Sequence, residues 1–307
     1  MRASETEASS RVDTNAPRPV NLEAGRRAFL QTLGMSAAGL AVLGAGASMG
    51  ASSAAAQTVT DTDILNFALN LEYLEAEFYL RAAFGKGLPP NLVTGTGDQG
   101  TVEGGTKVPF ATPIFREYAQ EIANDELAHV KFLRTALGSA RVAEPDIDLR
   151  RSFNTAARAA GLIADNQTFN PFANENNFLI GAFIFEDVGV TAYKGAARLI
   201  DNKDILEAAA GLLAVEAYHA GEIRTLMRSR NLISEAKKIS DLRDSVDGPT
   251  NLDQGIVLDG KVNIVPTDEN GLAFSRTEGQ VLKIVYLGGG DGSRNGFFPR
   301  KLNGNIR

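Results

Sequence analysis

The chain has 307 residues, with 31 Lys and Arg against 37 Asp and Glu, two His and no Cys. The acidic balance argues against a nucleic-acid partner, whose phosphates call for a basic face. The absence of cysteine excludes thiolate metal clusters, a rubredoxin-type iron site and disulfide stapling.

In chain order, residues 1–56 read as an export signal. Arg26-Arg27-Ala28-Phe29-Leu30 is a twin-arginine motif. A weakly apolar run rich in Ala and Gly follows from Met35 to Ala47, and Ala54-Ala55-Ala56 is a small-residue cleavage pattern ahead of Gln57. Glycine and serine dilute the run below what a spanning helix prefers, which favours cleavage over an uncleaved membrane anchor. The expectation is a mature chain, 57–307, delivered to the periplasm or secreted through the twin-arginine export machinery and touching the membrane only during export.

Residues 57–230 carry four long helical patterns, with apolar residues recurring at three- and four-residue steps. The first spans about 62–84, between the polar start Thr60-Asp61-Thr62-Asp63 and Gly85. The second has Thr112 as N-cap and Pro113 at the first helical position, and stops at Gly138. The third spans about 173–200, and the fourth follows Asp201-Asn202 to about Arg230. A long Gly-rich loop, 85–111, separates the first two. A longer linker, 139–172, with a short helix near 155–162, separates the second and third, while the last two are joined directly. Two antiparallel pairs and a long crossover predict an all-α four-helix bundle. Residues 231–307 are polar and Gly-rich and predict an irregular C-terminal extension packed on the bundle. Its one apolar stretch, Gln280 to Tyr286, follows a Thr277-x-x-Gln280 capping pattern and reads as a short helix or a strand.

Each histidine sits three residues after a glutamate, in Glu126-Leu127-Ala128-His129 and Glu216-Ala217-Tyr218-His219. That spacing puts both side chains on one helix face. The halves repeat: Glu72 and Glu186 are each followed seven residues on by Tyr79 and Tyr193, and the histidines by Arg134-Thr135 and Arg224-Thr225 at one spacing. Four carboxylates and two imidazoles suit iron, manganese or zinc. The reading is a dinuclear site with Glu126 and Glu216 as bridges and Glu72 and Glu186 as terminal ligands. Glu75 shares a face with Glu72 and competes for its place; the tyrosine register favours Glu72. Glu186 follows Ala182-Phe183-Ile184-Phe185, where an unpaired carboxylate would be costly. Asp125 and Asp187 adjoin ligand positions and are candidates to orient a histidine, against the alternative of plain exposed acids. Tyr79 and Tyr193 fall near enough to hydrogen-bond a ligand or pass an electron, against simple core packing. Arg134 and Arg224 are expected to pair with bundle acids.

These residues resemble the ferritin-like superfamily of di-iron and di-manganese carboxylate proteins, over residues 62–230. The layout is most similar to exported ferritin-like proteins related to plant desiccation-related proteins, on Leu71-Glu72-Tyr73-Leu74-Glu75-Ala76-Glu77-Phe78-Tyr79, the long first loop and the Phe297-Phe298-Pro299 ending. The resemblance implies two Fe or two Mn ions and a small substrate, O₂ or hydrogen peroxide, handled by a ferroxidase or peroxide-reactive stress protein. The same set also resembles manganese catalase, in which Glu216 would act as an acid/base beside the metal. A non-catalytic desiccation- or stress-protective protein is the third reading, so enzyme activity, like homo-oligomer formation, stays open. Three departures limit the transfer. The chain is much longer than a ferritin subunit, which argues against a storage cage. Met227 is the only methionine after residue 56, which argues against bacterioferritin-type haem. The lack of cysteine removes the electron-delivery module of a rubrerythrin.

Overall fold

The computed structural model describes residues 59–289 and 296–307. The twin-arginine and cleavage motifs lie outside the described residues.

Four helices make the bundle: α1 (Asp61–Phe84), α2 (Pro113–Leu137), α4 (Glu175–Ala197) and α5 (Lys203–Ser229), with the short α3 (Arg151–Ala159) in the crossover. Local chemistry sets their ends. The Thr60 hydroxyl accepts from the Asp63 N–H while the Asp63 carboxylate accepts from the Thr60 N–H, a capping box that starts α1. Asn174 and Asn202 side chains cap α4 and α5 in the same sense. Gly85 takes a left-handed conformation (φ 78°) and closes α1 by donating to Arg81 O. Pro113 sits in the first turn of α2 as expected, but Thr112 does not cap it. Thr112 Oγ1 lies 2.9 Å from Glu175 Oε2 and 2.7 Å from Arg230, which ties the starts of α2 and α4 to the end of α5.

Pairing follows connection length. The five residues between α4 and α5 leave no room for a return path, so those helices pack antiparallel. Asn66, early in α1, bonds Ala140 O and Val142 N beyond the end of α2, so that pair is antiparallel too. The tyrosine contacts described below set α1 antiparallel to α4. The central helices α1 and α4 are buried nearly all round, as their almost continuous apolar and aromatic content requires, whereas α2 and α5 keep a polar face to solvent. A Phe cluster fastens the crossover and the C-terminus to this core. Phe78 stacks on Phe178 at 5.7 Å, and Phe297 meets Phe153 at 5.1 Å and Phe185 at 4.9 Å. Each fully buried ring contributes about 1.5–3 kcal/mol.

Two two-stranded ladders serve as fasteners. Val102–Glu103 (β1) pairs in parallel with Ile147–Asp148 (β2), holding the first long loop against the crossover linker. Val257–Leu258 (β3) and Lys261–Val262 (β4) form a hairpin around Asp259-Gly260, both at positive φ (50° and 75°), which a two-residue hairpin turn of matching twist demands.

The C-terminal extension corrects the expectation of irregular structure. It holds α6 (Ile233–Asp247), which hydrophobic periodicity missed, and α7 (Glu278–Val285), which resolves the helix-or-strand ambiguity in favour of helix with the Thr277–Gln280 capping box formed. The face that α6 buries carries Ala236, Ile239, Ser240, Arg243 and Asp247, so half of it is polar in sequence. Its burial is made tolerable by an ionic network. Arg243 bonds Asp187 Oδ2 at 2.8 Å and Asp253 Oδ1 at 2.5 Å. Arg276 bonds Asp247 at 2.7 Å and Asp253 at 2.8 Å, and Arg224 bonds Asp187 at 2.8 Å. Among the described residues no helix is long and apolar enough to cross a membrane.

Candidate metal centre

The bundle brings the six residues singled out by the repeat to one point. Glu72 comes from α1, Glu126 and His129 from α2, Glu186 from α4, and Glu216 and His219 from α5; all are buried. Glu72, Glu126, His129 and Glu216 each offer a ligand atom within 4.8 Å of the others, and so do Glu186, Glu216 and His219. Glu216 belongs to both groups. Glu126 divides its oxygens between the histidines, Oε2 lying 3.5 Å from His129 Nδ1 and Oε1 3.1 Å from His219 Nδ1. Both carboxylates thus lie between the two histidines' surroundings. Glu72 Oε2 lies 3.2 Å from His129 Nδ1 and Glu186 Oε2 3.8 Å from His219 Nδ1, one terminal carboxylate beside each imidazole. The two rings are 6.2 Å apart, centroid to centroid.

Several buried atoms here lack any hydrogen-bond partner: both oxygens of Glu126 and of Glu216, Glu186 Oε2, Glu75 Oε2 and His219 Nδ1. Buried polar groups are ordinarily paired, so this concentration of unpartnered donor atoms points to a place built for a cation. Without one the carboxylates cannot all ionise. Burial, with repulsion from Glu126, raises Glu72 to about 7 despite the attraction of His129, and burial raises Glu186 to about 8. Burial and the charges around them push Glu75 and Glu216 well above the usual carboxylate range. Burial also works against the imidazolium ions, but Glu72 and Glu126 outweigh it and lift His129 to about 11. Asp125 and Glu126 likewise lift His219 to about 10. Glu126 alone among these carboxyls goes down, because the attraction of the two histidines beside it overcomes its burial. The oxygen-and-nitrogen donor set, the shared carboxylate and the orphaned atoms fit a metal site.

The tyrosines cross over. Tyr79 donates to Glu186 of the opposite half and Tyr193 to Glu72, so each holds the terminal carboxylate of the facing helix rather than its own. Asp125 lies 3.2 Å from His219 Nε2 and can hold that ring. Asp187 does not touch a histidine; it accepts from Arg224 and Arg243. Arg224 thus pairs with an acid as expected and also donates to Gln254 O, Gly255 O and Asn263 O of the extension. Its repeat counterpart Arg134 hydrogen-bonds no acid. It donates to Tyr73 Oη at 2.5 Å, Thr94 O at 2.7 Å and Asn91 O, clamping the first long loop. Glu77 turns away, taking Arg81 at 2.6 Å and Leu88 N at 2.7 Å. Sequence reasoning missed Glu222, half-buried, raised to about 7 by burial and by Glu121, and attracted by His219; its place one turn after His219 was the available signal. Gly189 was missed as well, one turn after Glu186 and between Val188 and Val190.

Two antiparallel helix pairs with two Glu-x-x-His motifs facing inward define a four-helix bundle with a buried carboxylate and histidine cluster, and a ferritin-like domain model matches residues 60–229. The chain belongs to that ferritin-like family. It is 31% identical over 267 residues to a desiccation-related protein from Craterostigma plantagineum, covering 80% of this chain and 83% of the relative. It is 26% identical over 268 residues to a ferritin-like catalase from Nesocodon mauritianus, covering 80% and 84%. No solved structure matches it.

Proposed function

We propose that the chain is an exported ferritin-like oxidoreductase whose centre holds two Fe or two Mn ions and reacts with O₂ or hydrogen peroxide in protection against oxidative stress. The observation that carries this reading is that Glu216 belongs to both ligand groups while Glu126 turns one oxygen to each histidine, an arrangement suited to two ions rather than one. Such metals supply one-electron steps in pairs, matched to two-electron reduction of a peroxide bond. The protein's own part is positioning. Tyr79 and Tyr193 fix the terminal carboxylates, Asp125 orients His219, and the buried Phe shell keeps bulk water from the centre. The twin-arginine motif supports an extracytoplasmic setting, because that route carries proteins already folded.

Peroxide dismutation is the specific alternative. The relative named a ferritin-like catalase favours it, and so does Glu216, a buried carboxyl without a hydrogen-bond partner that can take up or release a proton beside the ligands. The readings separate on one assay of purified mature protein. Oxygen evolution from peroxide by the manganese-loaded form, with none from the iron-loaded form, selects dismutation; Fe²⁺ oxidation coupled to O₂ or peroxide consumption selects a ferroxidase. Neither activity from protein loaded with two metals per chain would leave the non-catalytic protective reading and overturn both.

A further inference from the structure

A fifth glutamate enters the centre, and the repeat shows why it matters. Glu75 follows Glu72 by three residues, and the residue three after Glu186 in the second half is Gly189. One half therefore carries an extra carboxylate where the other carries no side chain at all. The two positions face each other. A Cβ built on Gly189 would lie 2.4 Å from Glu216 Oε2 and 3.5 Å from Glu75 Oε1, so both carboxylates converge over the bare glycine. Glu75 is 6% exposed, and its Oε2 has no hydrogen-bond partner. Behind it lies a cavity of about 20 Å³, lined by Leu71, Leu74, Ile184, Val188 and Val285, which offers the carboxylate no polar group. A carboxyl with an apolar wall behind it and other acids ahead stays ionised there only if a cation compensates it, and otherwise holds a proton.

We propose that Glu75 is a fifth carboxylate ligand of the centre, binding in the space that Gly189 leaves beside Glu216. The six ligands of the repeat treat the two metal positions alike; Glu75 makes them unequal. Whichever position takes Glu75 gains a negative donor that the other lacks, which favours a more highly charged ion there. This inference rests on the dinuclear reading above.

The test is an anaerobic titration of purified mature protein with Co²⁺, followed by bound metal per chain and by the visible d–d absorption, which reports ligand number. Wild type should take up two Co²⁺. Glu75→Gln, equal in volume, should keep the helical content and bind one of the two at least tenfold more weakly, with a changed spectrum. Glu75→Asp, which keeps the charge but withdraws the carboxylate, should show the same defect. Two wild-type sites with both variants unchanged in affinity and spectrum would overturn this inference alone. Fewer than two Co²⁺ in wild type would overturn the dinuclear reading and this inference with it.

Discussion

At the residue scale, the centre is a set of charges that cannot coexist without help. Two divalent ions would replace protons that Glu72, Glu186 and the histidines otherwise hold, so metal uptake releases protons and strengthens as pH rises. Gly189 tests the geometry from outside the ligand set. Gly189→Ala would press a methyl group to 2.4 Å from Glu216 Oε2, the free end of a side chain that can swing aside. The fold should survive while metal affinity drops about tenfold or more, within the range for changes that displace a ligand; unchanged affinity in a calorimetric titration would show that Glu216 does not need that position. Most of this site was legible in sequence, because Glu-x-x-His and Glu-to-Tyr spacings are local and the repeat doubled each signal. The crossing of Tyr79 to Glu186 and of Tyr193 to Glu72 was not, because it depends on which helices face each other. Glu75 was legible only as a competitor of Glu72; that both face inward follows from the room at Gly189.

At the element scale, α6 shows where periodicity fails. A helix is recognised when its buried face is apolar, and the buried face of α6 contains Ser240, Arg243 and Asp247. Those residues are compatible with burial only because Asp187 and Asp253 come from elsewhere in the chain, information that no local window holds. Removing Arg243 leaves Asp187 and Asp253 buried with one cation each in place of two. Arg243→Met should therefore cost about 3–5 kcal/mol in chemical denaturation. Lys237→Ala breaks an exposed pair with Asp241 and should cost under about 0.5 kcal/mol. Equal effects would mean that the buried network contributes no more than a surface ion pair. The network matters to the centre because Asp187 adjoins Glu186 on α4: Arg224 and Arg243 fix that helix to the extension, as Arg134 fixes α2 to the first loop. The capping box at Thr277 was readable in advance for the opposite reason, since every atom in it lies within four residues.

At the scale of the whole molecule, the charge buried in the bundle should govern stability against pH. The groups raised above their ordinary values are Glu72 (about 7), Glu186 (about 8), His219 (about 10) and His129 (about 11). Each binds its proton more tightly folded than unfolded. The stability it contributes is full below the unfolded pKa, near 4.5 for the carboxyls and 6.5 for the histidines, and is lost as pH rises through the folded value. The metal-free protein should therefore melt at falling temperature from about pH 5 to about pH 9. The metal-loaded protein should hold or gain over the same interval, since the ions take the place of the protons. Parallel thermal melts in chelator and in excess Mn²⁺ check this; a flat metal-free curve would show that the centre carries no such strain.

The central claim is that two ions sit where His129 and His219 converge with their glutamates. The measurement that tests it most directly is elemental analysis of the purified mature protein after anaerobic loading with Fe²⁺ or Mn²⁺, beside a His129→Ala/His219→Ala double variant of matched helical content. Two ions per chain in the wild type and near-complete loss in the double variant are expected. Fewer than one ion per wild-type chain, or full occupancy in the double variant, would contradict it.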